Sequence, residues 1–134
     1  RSVRPPLRKG RSGGRDFLKW EPLDTERPVE NIICNPPFSL ADEFIRQALK
    51  RTTHKVAMLL PLTFLEGKKR RWIFDETPLA AIHPFAERVN MPPGEELVAG
   101  KVERKGGIRA FAWLVWDHDW IGPPIVRRIE RALR

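Results

Sequence analysis

Apolar residues in this chain fall into short blocks separated by proline, glycine and charge, and each block carries the period of one kind of element. Ile32-Ile33-Cys34 is a short β-branched run stopped by Pro36, the pattern of a buried strand. Leu40, Phe44 and Ala48, with Ile45 and Leu49 beside them, recur at helical spacing. Ser39 stands at the N-cap position of that helix. Asp42 and Glu43 place carboxylates at the positive end of its dipole, and Lys50 and Arg51 close the negative end. Val56 to Leu60 is apolar at every position, which predicts a strand in the middle of a sheet covered on both faces. A weaker strand is predicted around Leu79 to His83. In the block from Ile108 to Trp116, Ile108, Ala110, Ala112, Leu114 and Trp116 fill one face, while Phe111, Trp113 and Val115 fill most of the other. Past Gly122-Pro123-Pro124, the helical spacing of Ile125, Ile129 and Leu133 predicts a short terminal helix. Strand, helix, strand, short helix, strand and strand make an α/β layered domain.

Two stretches lack such a period. Residues 1–15, RSVRPPLRKGRSGGR, hold six basic residues and no acidic one, and read as an irregular arm. Pro92 to Gly107 reads as a long loop rich in glycine and charge. The chain therefore divides into an arm over 1–15, a domain portion over 16–122 and a tail over 123–134. Its 134 residues are enough for one domain with a real core. No apolar run approaches the roughly 18–20 residues of a membrane span, and no signal-peptide pattern is visible. The single cysteine, Cys34, excludes an internal disulfide and suits a reducing compartment. The expectation is a soluble, cytoplasmic protein. A net charge of +8 changes the picture further, because a clustered surplus of that size favours a polyanionic partner, nucleic acid before an anionic membrane surface.

The chemistry is concentrated in Asn35-Pro36-Pro37-Phe38 at the end of the first strand. The prolines fix φ near −65° and remove two amide donors, and Pro36 holds Asn35 toward an extended backbone. Such a loop presents carbonyl oxygens with few competing N–H groups. The Asn35 side-chain oxygen adds another acceptor, and Phe38 a flat apolar face. An exocyclic amino group on an aromatic base suits this set. Its two N–H bonds can be held by the Asn35 oxygen and the Pro36 carbonyl, while Phe38 stacks on a base swung out of the duplex. Positioning and electrostatics then carry most of the barrier reduction, with no strong general base.

The stretch from Ile32 to Phe38, followed by a capped helix and an apolar strand, resembles motif IV of the class I S-adenosylmethionine-dependent amino-methyltransferases, which include the adenine-specific DNA methyltransferases. NPPFSLADEFIRQAL, LLPLTFLEGKKRR and AFAWLVWDHDW are similar to a phage or prophage type within that family. The resemblance covers residues 16 to 122. It implies a Rossmann-like sheet, S-adenosylmethionine as cofactor, adenine in DNA as substrate, and catalysis by Asn35, Pro36, Pro37 and Phe38. It also makes Asp16, with Phe17 beside it, the adenosine-contacting pair. The alternative for Asp16 is a turn or cap residue. The family's glycine-rich loop after a first strand, and the ribose-binding acid after a second, are not visible. Gly10, Gly13 and Gly14 follow Arg-Pro-Pro-Leu instead of a hydrophobic strand. The expectation is thus the second half of the sheet, with an unpaired central edge, about half a cofactor site and no turnover alone. Methylation of an RNA guanine or a protein glutamine, and a non-catalytic basic nucleic-acid-binding module, are the alternative readings.

Other candidates are weaker in chemistry. Lys68-Lys69-Arg70-Arg71 beside Trp72 can grip DNA phosphates, or can be a solvated helix face. Asp117-His118-Asp119 has the composition of a metal ligand cluster, but neighbours on an extended strand point to opposite sides, and no metal is expected. His54 and His83 have no partner pattern. Cys34 reads as an inert packing residue, and most of the five tryptophans as core.

Overall fold

The computed structural model describes residues 16–21, 26–87 and 109–130. These build an open, mixed five-stranded sheet with two α-helices, an architecture compatible with part of a Rossmann-like fold. The strands are β1 (Val29–Cys34), β2 (Thr52–Pro61), β3 (Leu79–Pro84), β4 (Phe111–Asp117) and β5 (Ile125–Val126). Helix α1 spans Ala41–Arg51 and α2 spans Arg71–Asp75. Across the sheet the order is β1-β2-β4-β3-β5. β1 runs parallel to β2, β4 is antiparallel to both β2 and β3, and β3 is parallel to β5.

Register explains the core. Val56, Met58 and Leu60 of β2 lie opposite Trp116, Leu114 and Ala112 of β4, and Leu79 and Ile82 of β3 lie opposite Trp116 and Leu114. Those side chains share one face because strand side chains alternate. Ala41, Ile45 and Ala48 of α1, Phe64, and Ile73 of α2 close over the same face, and all of these residues are buried. The opposite face carries Ala57, Leu59, Trp113 and Val115, which are only partly buried, and Ile33, which is 75% exposed. The apolar-everywhere pattern of β2 thus marks a central strand, as expected, but among the described residues both helices cover a single face. The chain advances from β1 to β2 to β3 in one direction across the sheet, and crossovers of the usual right hand then place both connections on one side.

Two further expectations are corrected. Ser39 lies inside a 3₁₀ turn, Phe38–Leu40, and caps nothing; Leu40 precedes the first residue of α1. The Leu40 N–H donates to the Pro37 carbonyl at 3.0 Å, so the chain begins to wind before the α-helix proper. The terminal segment forms β5, not a helix, over its described residues. Arg127 and Ile129 donate their backbone N–H groups to the carbonyls of Ile82 and Pro84, at 3.0 and 2.8 Å. The open edge of β3 thereby completes its ladder, which outweighs the weak helical spacing of three apolar residues. The arm over 1–15 and all of the predicted loop, 92–107, lie outside the described residues. β1 stands at the edge of the sheet, with no partner on its outer side among the described residues. At its register shift the Asn31 side chain accepts from the Lys55 N–H at 3.0 Å.

Trp116 is the largest fully buried side chain, and its indole N–H donates to the Thr77 hydroxyl at 2.9 Å; that hydroxyl donates in turn to the Ile73 carbonyl. Thr77→Val preserves shape and deletes the acceptor. The variant is expected to lose about 1–3 kcal/mol in urea unfolding, with Thr77→Ser retaining most of it.

Candidate amino-group site at the carboxyl ends of β1 and β2

Because β1 and β2 are parallel neighbours, the loops that follow them leave from the same rim of the sheet. Ligands of open α/β sheets bind outside the carboxyl ends of strands, and the chemistry-bearing residues gather there. After β1 come Asn35, Pro36 and Pro37 and the turn Phe38–Leu40. After β2 come the turns Leu62–Leu65 and Lys68–Arg70, leading into α2.

Within the first loop Pro36 is buried and Asn35 exposed. The Pro37 carbonyl is committed to Leu40. The Asn35 side-chain amide and the Pro36 carbonyl engage in no hydrogen bond among the described residues. Among the described residues these two acceptors are therefore uncommitted, on a backbone that two prolines stiffen. Beside them, Phe38 is 41% exposed, and its ring meets the buried Phe64 edge-on, with centroids 6.1 Å apart at 79°. Phe64 has no period that marks it in the sequence. Its place in a loop after a strand parallel to β1 is the signal that finds it.

The second loop supplies Arg70. Its guanidinium carbon lies 4.1 Å from the Phe64 ring centroid and 5.0 Å from that of Phe38. Its Nη1 donates to the Phe64 carbonyl at 3.2 Å, and its Nε lies 3.9 Å from Asp42 Oδ1. The basic run is thus divided by the fold. Arg70 turns inward, Lys68 and Lys69 are exposed, and Arg71 pairs with Asp75 at 2.7 Å on the surface. Nearby, Arg46 of α1 stacks on Trp72 of α2, 3.7 Å from the ring centroid.

Asp16 and Phe17 are held elsewhere, on α1. Asp16 Oδ1 accepts from the Leu18 N–H at 3.0 Å and caps the 3₁₀ turn Phe17–Lys19. The Phe17 ring packs on Phe44 with centroids 5.1 Å apart, and Gln47 donates to the Phe17 and Trp20 carbonyls at 2.9 and 2.7 Å. One Asp16 oxygen is therefore in use as a cap. The only positive-φ glycines among the described residues, Gly67 and Gly122, have open space where a Cβ would stand, so neither marks a close backbone cradle. Among the described residues the site therefore consists of the Asn35–Phe38 loop with Phe64 and Arg70 beside Phe38.

Asp117, His118 and Asp119 do not converge. Asp117 Oδ1 accepts from the Asp119 N–H at 3.0 Å. His118 Nε2 lies 3.0 Å from the Thr52 hydroxyl, whose one proton goes to the Ala48 carbonyl, so the ring donates through Nε2. Among the described residues no three His, Cys, Asp or Glu side chains gather as a metal site. His83 Nδ1 contacts the Arg127 carbonyl at 2.9 Å. No helix among the described residues is long and apolar enough to cross a membrane.

No family model, curated protein or solved structure matches the chain.

Cys34, the last residue of β1, packs against the core, and burial pushes its thiol above the ordinary range. Less thiolate is then present at a given pH. At pH 8, iodoacetamide should alkylate the folded chain more slowly than the chain unfolded in urea; equal rates would contradict this.

Proposed function

We propose that this chain holds the exocyclic amino group of an unpaired adenine in DNA for S-adenosylmethionine-dependent methyl transfer. The observation that carries the reading is a pair of acceptors that no described residue engages, the Asn35 amide oxygen and the Pro36 carbonyl, on a loop stiffened by two prolines beside the exposed part of Phe38. A flat base stacks on Phe38, and its amino group donates one N–H to each acceptor. Those two bonds orient the nitrogen lone pair out of the plane of the ring and draw electron density toward nitrogen. S-adenosylmethionine, when bound, supplies an electrophilic methyl group on a sulfonium. Asn35 is exposed, so the proton displaced from the nitrogen passes to water. Lys68 and Lys69, exposed on the adjoining loop, contact phosphates and set register without reading sequence.

The amine-holding pair would also suit a guanine amino group or a glutamine amide. The net charge of +8 favours a nucleic acid, and the motif's resemblance favours adenine in DNA. The chemistry tested here needs only this chain's own acceptors, so the decisive measurement is equilibrium binding. Duplexes carrying one unpaired adenine, or one unpaired purine that lacks the amino group, are titrated with the full chain. Losing both donors leaves the acceptors unpaired, at a cost of about 1–3 kcal/mol, or roughly 5-fold to 150-fold in affinity. Asn35→Ala should shrink that ratio while leaving the purine affinity nearly unchanged. Equal affinity for the two duplexes in the wild-type chain would sink the reading and leave a basic nucleic-acid-binding module in its place.

A further inference from the structure

The four basic residues Lys68 to Arg71 look equivalent in sequence, yet the fold treats one of them differently. The Arg71 side chain is 83% exposed and that of Arg70 only 20%. Arg70 is drawn inward by the turn at Gly67, whose φ of +101° lets the Arg70 N–H close onto the Gly67 carbonyl at 3.2 Å. Its guanidinium then fills the corner between two nearly perpendicular rings, Phe64 and Phe38. Resting on the proposed amine-holding role of the adjoining loop, we infer that Arg70 is a positioning residue: it clamps the Phe38 ring against Phe64 so that the remaining surface of Phe38 stays oriented to receive an unpaired base.

The anchor is fixed, because the guanidinium is tied to the Phe64 backbone carbonyl and lies on the buried Phe64 ring, while the Asp42 carboxylate stands 3.9 Å away. Phe38 is the member open to solvent: it is surface exposed and follows a loop that Pro36 and Pro37 hold at the backbone but not at the side chain. A planar guanidinium lies flat on a ring and keeps an in-plane N–H for the carbonyl, which an ammonium cannot do together. Arg70 therefore removes rotamer freedom from Phe38 before a base arrives, and affinity gains from what no longer has to be ordered on binding. Lys68 and Lys69 are left as the outward phosphate contacts of the same turn.

The test uses the full chain as wild type, Arg70→Met, Arg70→Lys and Lys69→Met. Duplexes with one unpaired adenine or one abasic site are titrated over a range of salt, and ring NOEs of the phenylalanines are recorded without DNA. The clamp predicts Phe38–Phe64 ring NOEs in the wild type that are lost in both Arg70 variants, while the Phe17–Phe44 ring NOEs persist as the record of folding. It further predicts that both Arg70 variants lose about tenfold of the preference for adenine over the abasic site. Arg70→Met should leave the salt dependence unchanged, whereas Lys69→Met should lower its slope by about 1. Retained Phe38–Phe64 NOEs in Arg70→Met would overturn the clamp. So would a slope lowered by about 1 in Arg70→Met with both duplexes weakened alike, which assigns Arg70 to a phosphate. Lost NOEs in the variants, combined with no preference for adenine even in the wild type, would keep the clamp and overturn the base-holding role of the loop.

Discussion

Parallel pairing of β1 with β2 constrains everything at the candidate site. Two parallel neighbours must end on the same rim, so the loop after Cys34 and the loop after Pro61 are forced into each other's reach. An antiparallel pair would have sent them to opposite ends of the sheet. The connection that makes parallel pairing possible is α1, whose Ala41, Ile45 and Ala48 are buried over β2 while its first turn follows directly on Phe38. The helix thus acts twice: it closes the crossover, and it brings Asp42 to the guanidinium that the second loop supplies.

β4 holds that arrangement rigid. It lies between β2 and β3 and is antiparallel to both, so its Ala112, Leu114 and Trp116 pack in line with the inner faces of two strands that would otherwise never touch. Burying a tryptophan so deeply requires a partner for its indole N–H. Thr77 provides it, at the turn that leads into β3, and so links the end of α2 to the middle of the sheet. Through Ile73 that same helix fastens the far end of the loop carrying Arg70. The site loops are short segments stretched between well-buried anchors, a condition for holding small polar groups in fixed positions.

How much of this was legible beforehand follows from which physical signals are local. The β-branched run before Asn35, the two-sided apolar run from Val56, and the alternation of Ala112, Leu114 and Trp116 are local signals and each marks a strand in the structure, although the first is an edge strand with Ile33 75% exposed and not the buried strand its run suggests. The helix from Ala41 was equally plain, but its start was not: Ser39 has the right chemistry for a cap, and the proline-fixed backbone wound one turn too early for it. The segment after Pro124 misled because three apolar residues at spacing four satisfy a helix pattern without proving one. An open strand edge on β3, invisible to any local window, decided the outcome. The chemistry of its own residues pointed to the Asn35–Phe38 loop; Phe64, whose ring meets that of Phe38, came only from the strand order.

The division of the basic run shows why long-range geometry adds something that composition cannot. A run of four cations is, on charge alone, a single electrostatic feature whose members are interchangeable. A turn at Gly67 breaks that equivalence, because a 3₁₀ turn advances about 120° per residue, so adjacent side chains point to well-separated directions. Lys68 and Lys69 meet solvent, while Arg70 meets the aromatic corner. Keeping an arginine largely out of water without full compensation would be unfavourable. Here a carbonyl, a nearby carboxylate and two ring faces share the task, and the carboxylate stops short of hydrogen-bond distance. The Asp42 oxygen that faces Arg70 is buried and makes no hydrogen bond, so the ion pair is the loosest of these contacts and the rings and carbonyl the firmest. A cation held mainly by aromatic rings and a backbone oxygen is fixed in position by its neighbours, and it is that fixed position, more than the charge, that sets the orientation of Phe38.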